Sequence, residues 1–513
     1  MLNKPRTLIV ILTAAWLSAC SSAPTPKQLA ADAVAAMGGA DKLKGLQTIV
    51  MKGGTGTRMR LSQTVHVTDA ETPAQLKDVV ETLDLQNGRA SIDYVLALGP
   101  FNQHRHEILT KRADKPVGIE IVPMRPIVAV SPSGLFSWGT QNSPEMSLAR
   151  NVVSIMLSAS GSMKDSPAVE DQTFNGKMTK HAHGAAKSGE DVGLFFDPQS
   201  KLLAGYAITD TETMLGDVPA QYILDDYKSV DGVRLPHRIT IRKGDKDYSD
   251  VHYTSISVND PSVLQVFAIP DEAAKEADQA IAAGDFSRLE LVKVADHLYF
   301  ARAYSHNSMI VEFPSWLAVV EAPYTEAQTT TLARLLEQQF PGKRVKYAAV
   351  THHHYDHTGG VRGIAALGAT VLVEKGHEAA IKELLEARHT HPQDELDKRR
   401  NGQPAQPVGS IEVYEGKKVI TDGTQSLELY AFMGSPHVEP MVLAYVPSAR
   451  AMFQSDLWFP GTGAPASPAA KQLLESVKKL NLRVDTNLGG HGGVGPFAEL
   501  VKAVAAMPAA AGN

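Results

Sequence analysis

The sequence predicts an α+β protein in two parts: a mostly antiparallel β region, then a region in which strands and helices alternate. Three observations carry this reading. Leu46 to about Pro270 breaks into short alternating runs separated by Asn87-Gly88, Asn175-Gly176, Asp231-Gly232 and Lys243-Gly244-Asp245, turn sequences at the spacing of a meander. From Leu289 onward, apolar runs of strand length are interleaved with amphipathic helical stretches. Directly after one such run, Tyr347–Val350, the loop Thr351–Gly360 concentrates His352, His353, His354, Asp356 and His357. At 513 residues each part has room for a full core. The 43% hydrophobic and 21% charged composition is that of a globular chain, and a net charge of -6 gives no footprint for nucleic acid.

The elements follow in order. Lys4 and Arg6 precede an apolar run, Thr7–Trp16, too short to span a bilayer comfortably. It ends in Leu17-Ser18-Ala19-Cys20, which resembles the bacterial lipobox, and Cys20 is the only cysteine. The resemblance implies a signal peptide over 1–19, lipidation (palmitate) at Cys20 and a tether over 20–27. Ser21 after the cysteine resembles lipoproteins sorted to the outer membrane, so the expected location is a lipid anchor facing the periplasm. With no disulfide available, stability must come from packing and metal.

Lys27 to about Lys44 has helical periodicity, with Leu29, Ala33, Val34 and Met37 recurring at three-to-four spacing before Gly38-Gly39. The clearest hairpin is Tyr222–Tyr227, the Asp231-Gly232 turn, and Val233–Arg242, with Pro236 implying an edge position or a bulge. Together with Val266–Pro270 closing the sheet, this texture over 28–270 resembles periplasmic lipoprotein-carrier-like half-barrels. That implies a curved sheet able to hold an apolar ligand; a docking or spacer domain is the alternative. Residues 271–288 read as a linker containing a short Ala- and Glu-rich helix.

In the second region, 289–508, strands are expected at Leu291–Val294, Leu298–Phe300, Met309–Val311, Trp316–Val320, Val345–Val350, Thr370–Val373, Ile411–Val413, Val419–Ile420, Leu427–Tyr430, Val442–Val446 and Ala451–Phe453. Helices are expected over Thr325–Gln339, Glu378–Arg388, Ala469–Leu480 and Phe497–Met507.

The chemistry lies in the histidine loop. Imidazoles and a carboxylate at this density would each cost desolvation energy if buried alone, and a divalent ion removes that cost. Residues two apart in an extended loop face the same way, so His352 and His354 converge while His353 points away into a structural role. The run resembles the His-x-His-x-Asp-His signature of the metallo-β-lactamase superfamily. The order and context of His437, Asp456 and His491, each in a Gly/Ser/Pro-bordered turn after a strand-like run, extend the likeness over about Leu289 to Met507.

The resemblance implies a four-layered αββα sandwich. It also implies His352, His354 and His437 on one metal, and Asp356, His357 and His491 on a second, with Asp456 between them. Two Zn2+ are the expected cofactors, and iron or manganese suits the same ligands. The implied reaction is hydrolysis of an ester, thioester, lactone or amide of a small-molecule substrate by a dinuclear-metal hydroxide, Asp356 serving as catalytic residue and metal ligand. A mononuclear site is the alternative arrangement. The alternative functions are a lipid-anchored carrier with a structural metal domain, and a mononuclear iron oxygenase.

Around the ligands, Tyr355, Trp458 with Phe459, and His306 are candidates for a substrate wall; Tyr355 equally suits packing beneath the cleft, Trp458 and Phe459 equally suit the core, and His306-Asn307 also reads as surface. His377, His389 and His391 are expected to be solvated. His104/His106 and His181/His183 lack a third ligand and read as surface pairs. Glu321 stands where the family often carries an Asp that orients a metal-binding histidine, and its longer side chain leaves that role open.

Overall fold

The computed structural model describes residues 24–98, 101–122, 125–131, 151–163, 169–186, 189–283, 289–303, 305–391 and 393–508. Cys20 and the expected signal peptide lie outside the described residues. The protein is a mixed α+β structure built on large sheets.

The first sheet is 14-stranded and antiparallel throughout its printed pairings. Its strands run outward as a meander from the central strand Thr48–Arg58. After the helix Val152–Ser162 they resume at Glu170–Phe174 and meander back, so that Lys246–His252 pairs with Thr48–Arg58. The opening helical run divides into Pro26–Ala36 and Ala40–Lys44 around Gly38 and Gly39, both at positive φ. Leu29 and Ala33 from the first helix, Met37 at its C-terminal cap, and Ile155, Met156 and Ala159 from Val152–Ser162 join Leu76, Tyr94, Leu194 and Tyr206 of the sheet in one buried cluster.

Two expectations change here. Val266 and Phe267 lie in a 3-10 turn, Pro261–Phe267, and do not close the sheet as a strand. Pro236 sits in the interior strand Val233–Lys243, paired with Tyr227, at a point where Lys246–His252 has stopped pairing with that strand. Its missing N–H therefore costs no ladder bond on that side.

The second region holds a seven-stranded and a six-stranded sheet. In the first, Glu290–Ala295 through Trp316–Val320 are antiparallel, and Trp316–Val320, Arg344–Ala349, Thr370–Glu374 and Ile411–Tyr414 are parallel. Parallel neighbours need crossovers, which the helices Glu326–Gln339 and Val361–Ala366 supply. Their residues Leu332, Leu336, Ile364 and Ala365 bury against Leu317, Val319, Ala348 and Val371. The opposite faces, with Phe300, Val311 and Leu372, pack with Leu427, Leu429, Val442 and Phe453 of the second sheet. That sheet's outer face, with Leu443 and Met452, is covered by Leu473, Val477 and Leu500 from the helices Pro468–Lys479 and Phe497–Ala505.

The two regions meet at a polar seam. Asp217 accepts from the Thr390 backbone and hydroxyl, and its own N–H donates to the Arg388 carbonyl at 2.6 Å. Met214, at the turn of the hairpin before it, is buried in the second region's helical core.

Candidate metal centre

Each candidate ligand follows a strand of the second region at its carboxyl end. The histidine loop follows Arg344–Ala349, His437 follows Ser426–Phe432, Asp456 follows Ala451–Gln454, and His491 follows Thr486–Gly489. Local backbone makes the turns. Asp456 adopts φ 62, a left-handed conformation Asp tolerates better than most residues, which turns its carboxylate out of the strand direction. Gly359 leaves no room for a side chain: a Cβ there would lie 2.1 Å from the Tyr324 carbonyl oxygen. At the His491 turn, the Asn307 side chain donates to the carbonyls of Gly489, Gly490 and Gly492 at 3.0–3.2 Å.

The ring nitrogens converge on Asp456. Its Oδ2 lies 3.2 Å from His352 Nε2, 2.8 Å from His357 Nε2 and 3.4 Å from His437 Nε2, and its Oδ1 lies 2.9 Å from His491 Nε2. Yet Asp456 Oδ2 and the Nε2 atoms of His352, His357 and His437 are all buried without a hydrogen-bond partner. Orphaned donors and acceptors at this density are costly, and all three nitrogens lie within 3.4 Å of the one carboxylate oxygen. Potential ligand atoms of His352, His354 and His437 lie within 4.8 Å of one another, as do those of His306, Asp356, His357 and His491. The donor set fits divalent metal.

The outer atoms of the rings are held. A carboxylate only accepts, so Glu321 Oε2 takes the Nδ1–H of His357 at 3.0 Å, while its other oxygen accepts from the Thr351 hydroxyl. That hydroxyl stands 3.0 Å from His352 Nδ1 and accepts from it in turn. Glu321 thus turns the Nε2 atoms of both rings to the centre, and its longer side chain is what reaches both.

Burial holds the His352 and His354 rings well below the usual histidine range, with His357 and His437 respectively adding to the effect. His357 is the opposite case: burial opposes its charge, but Asp456, Glu321 and Asp356 together hold it well above that range. Burial likewise opposes ionisation of Asp356 and Asp456, and His357 outweighs it in both, so each carboxyl stays well below the ordinary range. The carboxylates call for positive charge at the centre; a divalent cation satisfies the same demand without a protonated imidazole.

Several expectations for the surroundings are corrected. His306 and Asn307 are buried, not surface residues. His306 Nε2 lies 3.2 Å from Asp356 Oδ2, its ring packs 3.9 Å from that of His491, and burial, then His491, push its pKa down to about 3. Tyr355 and Trp458 are buried in the apolar clusters beneath the site and form no exposed wall. Phe459, next to Trp458, is the exposed aromatic, 5.5 Å from the His491 ring. His377 and His389 are buried, and His391 is exposed. His353 does face away, with Nδ1 3.2 Å from His377 Nδ1. Of the other pairs, His104 contacts Asp93, His106 contacts Ser91 and His183 contacts Asp191.

The residues that sequence reasoning did not place at the site are Gln63 and Thr64, from the first region. Gln63 Nε2 donates to Asp356 Oδ1 at 2.8 Å, and the Thr64 carbonyl lies 3.0 Å from His354 Nε2. No sequence signal marked them.

The family model described as "Metallo-beta-lactamase superfamily" matches residues 304–491, so the second region carries a domain of that superfamily. No curated protein matches the chain. Similar solved structures include a metallo-beta-lactamase from Hirschia baltica, at 15% identity and TM-score 0.31, covering 42% of this chain and 96% of that one. Another, from Pontibacter korlensis, has 18% identity and TM-score 0.31, covering 42% and 98%. The stereoselective inverting sec-alkylsulfatase Pisa1 from Pseudomonas sp. has 20% identity and TM-score 0.32, covering 42% of this chain and 40% of that one.

Proposed function

We propose that the protein is a metal-dependent hydrolase with a dinuclear centre, cleaving an ester, thioester, lactone or amide. The observation that carries this is the convergence of unpartnered His352, His357 and His437 nitrogens on Asp456 Oδ2. His352, His354 and His437 would hold one ion and Asp356, His357 and His491 the other, with Asp456 between them. Zinc suits this set, and iron or manganese fits the same ligands.

When bound, the ions would supply Lewis-acid polarisation of the scissile group and bring the pKa of water toward neutrality. The chain's own residues do the rest. Asp356, its oxygens positioned by Gln63 and His306, accepts the proton of the attacking water and returns it to the leaving group. Glu321 keeps His357 and His352 aimed inward. His437 and His491 keep 31% and 20% of their side chains exposed, which supports substrate entry from their side. The αββα layering expected of this domain would place that opening at the rim of its two sheets.

The test is a panel of an ester, a thioester, a lactone and a β-lactam assayed with zinc-loaded protein. Hydrolysis of at least one that disappears in His354→Ala is the expected result; unchanged turnover in that variant would remove the proposed chemistry.

A second reading concerns the first region. Its sheet carries a cavity of about 240 Å³ lined mainly by apolar residues such as Met51, Leu76, Val79, Leu224 and Val251, with Arg58, Glu107 and Lys243 also in its wall. This favours an apolar ligand held in a half-barrel. We also infer lipidation at Cys20 and a periplasmic location at the outer membrane, from the Leu17–Cys20 sequence. Cys20→Ser should abolish fatty-acid labelling and membrane fractionation; persistence of both would overturn that inference.

A further inference from the structure

The metal loop is approached by a segment 290 residues earlier in the chain. We propose that residues 59–73, joining strands Thr48–Arg58 and Ala74–Asp84 of the first sheet, form the outer wall of the metal centre, with Thr64 and Gln63 as positioning residues for His354 and Asp356. The inference rests on the metal reading above and adds to it that the first region completes the site.

The contacts fall on the ligands' outer atoms. A carbonyl oxygen only accepts, so the Thr64 contact at 3.0 Å requires the proton of His354 to sit on Nε2. Nδ1 is then the nitrogen left to face an ion, and the ring's tautomer and tilt are fixed from the other region. Gln63 binds Oδ1 of Asp356 at 2.8 Å while His306 faces Oδ2, so the carboxylate cannot rotate freely. The backbone between these ligands is fixed as well, because the Tyr355 N–H donates to Ser62 Oγ at 2.9 Å.

The same segment reaches the loop of His437. The Glu439 N–H donates to the Val65 carbonyl at 2.9 Å, and His66 Nε2 lies 3.2 Å from the Glu439 carboxylate. His353, turned from the centre, is engaged too, its Nε2 3.3 Å from Thr64 Oγ1. The segment is stiffened internally: the Ser62 N–H donates to Glu71 Oε1 at 2.7 Å, Arg60 donates to Gln63 Oε1 at 2.8 Å, and Glu71 pairs with Lys246 of the first sheet. A contact that only joins the regions, such as the Asp217–Thr390 seam, does not touch the ligands. Here a carbonyl and a carboxamide meet the ligand atoms that outer partners of a metal site ordinarily hold.

The test uses the full-length chain with Gln63→Met, and a second variant in which 61–66 is replaced by Gly-Gly. Each is titrated with zinc against a competing chelator, and the visible spectrum of the cobalt-substituted protein is recorded. Both variants should bind metal about 10–100-fold more weakly, the usual consequence of losing an outer partner, and should shift the cobalt bands. If the parent protein binds metal and Gln63→Met keeps parental affinity and spectrum, the inference is overturned while the metal reading stands. If the parent binds none, both fall.

Discussion

Among the described residues, two of the buried sets of charged groups are built on opposite plans. Inside the first sheet, opposite charges are brought to each other. Tyr94 donates to Glu107 at 2.9 Å and accepts from Arg58, Arg105 donates to Glu120 at 2.5 Å, and Lys243 lies 3.0 Å from Asp210 as an ion pair without a hydrogen bond, its ammonium over the Tyr248 ring. In the second region, imidazoles and carboxylates are brought to a point between them, and their inner atoms lack hydrogen-bond partners while their outer atoms have them. Opposite charges set against each other neutralise one another without an added ion. Inner atoms left unpaired within a ring of satisfied outer ones are the signature of a site that takes one.

The contrast can be broken by variants that affect one set and spare the other. The largest effect is expected from His352→Ala: removing one ligand should weaken zinc binding on the order of 10³-fold, as a share of a total that runs to about 10–16 kcal/mol in small structural sites. Chelator competition measures it, with thermal stability of the metal-free protein little changed.

Lys243→Met is the converse. Leaving Asp210 and Glu212 buried without their cation should cost about 3–5 kcal/mol in denaturant unfolding, while zinc affinity stays parental. A loss of zinc binding there would show that the two sets are not independent.

Glu321→Ala should weaken metal binding by about 10–100-fold, because His352 and His357 lose their common outer partner. Isothermal titration with zinc reads this directly, and parental affinity would remove Glu321 from the site.

The smallest effect lies at the seam. Burial, then Arg362, lower the pKa of His389, so the folded chain refuses a proton that the unfolded chain accepts. The stabilisation from its neutral form is complete above about pH 6.5 and is lost as the pH falls below that value. His389→Gln should flatten this part of the melting temperature's pH dependence between pH 5 and 7; an identical slope would show the group is not coupled to folding.

The two regions also differ in how far the sequence revealed them. The ligands could be read because His352, His354, Asp356 and His357 are local, and because His437, Asp456 and His491 each follow a recognisable strand in fixed order. The hairpin Tyr222–Arg242 was legible from its turn. The helix Val152–Ser162 was not: Val152, Val153 and Ile155 suit a strand as well as a buried helix, and the Asn151 cap that decides the matter is a single side-chain contact. The burial of His306, the reach of Glu321 and the approach of Gln63 and Thr64 are tertiary facts. No periodicity encodes a contact across 290 residues, so polar residues in a long inter-strand loop read only as loop.

The central claim is that one set of side chains holds two ions. Equilibrium dialysis of the metal-stripped full-length chain against zinc, followed by elemental analysis, tests it most directly. About two ions per chain are expected, as in other two-metal sites, and a lower count in Asp456→Ala. A parent chain that retains no zinc, or an Asp456→Ala variant with the parental count, would contradict it.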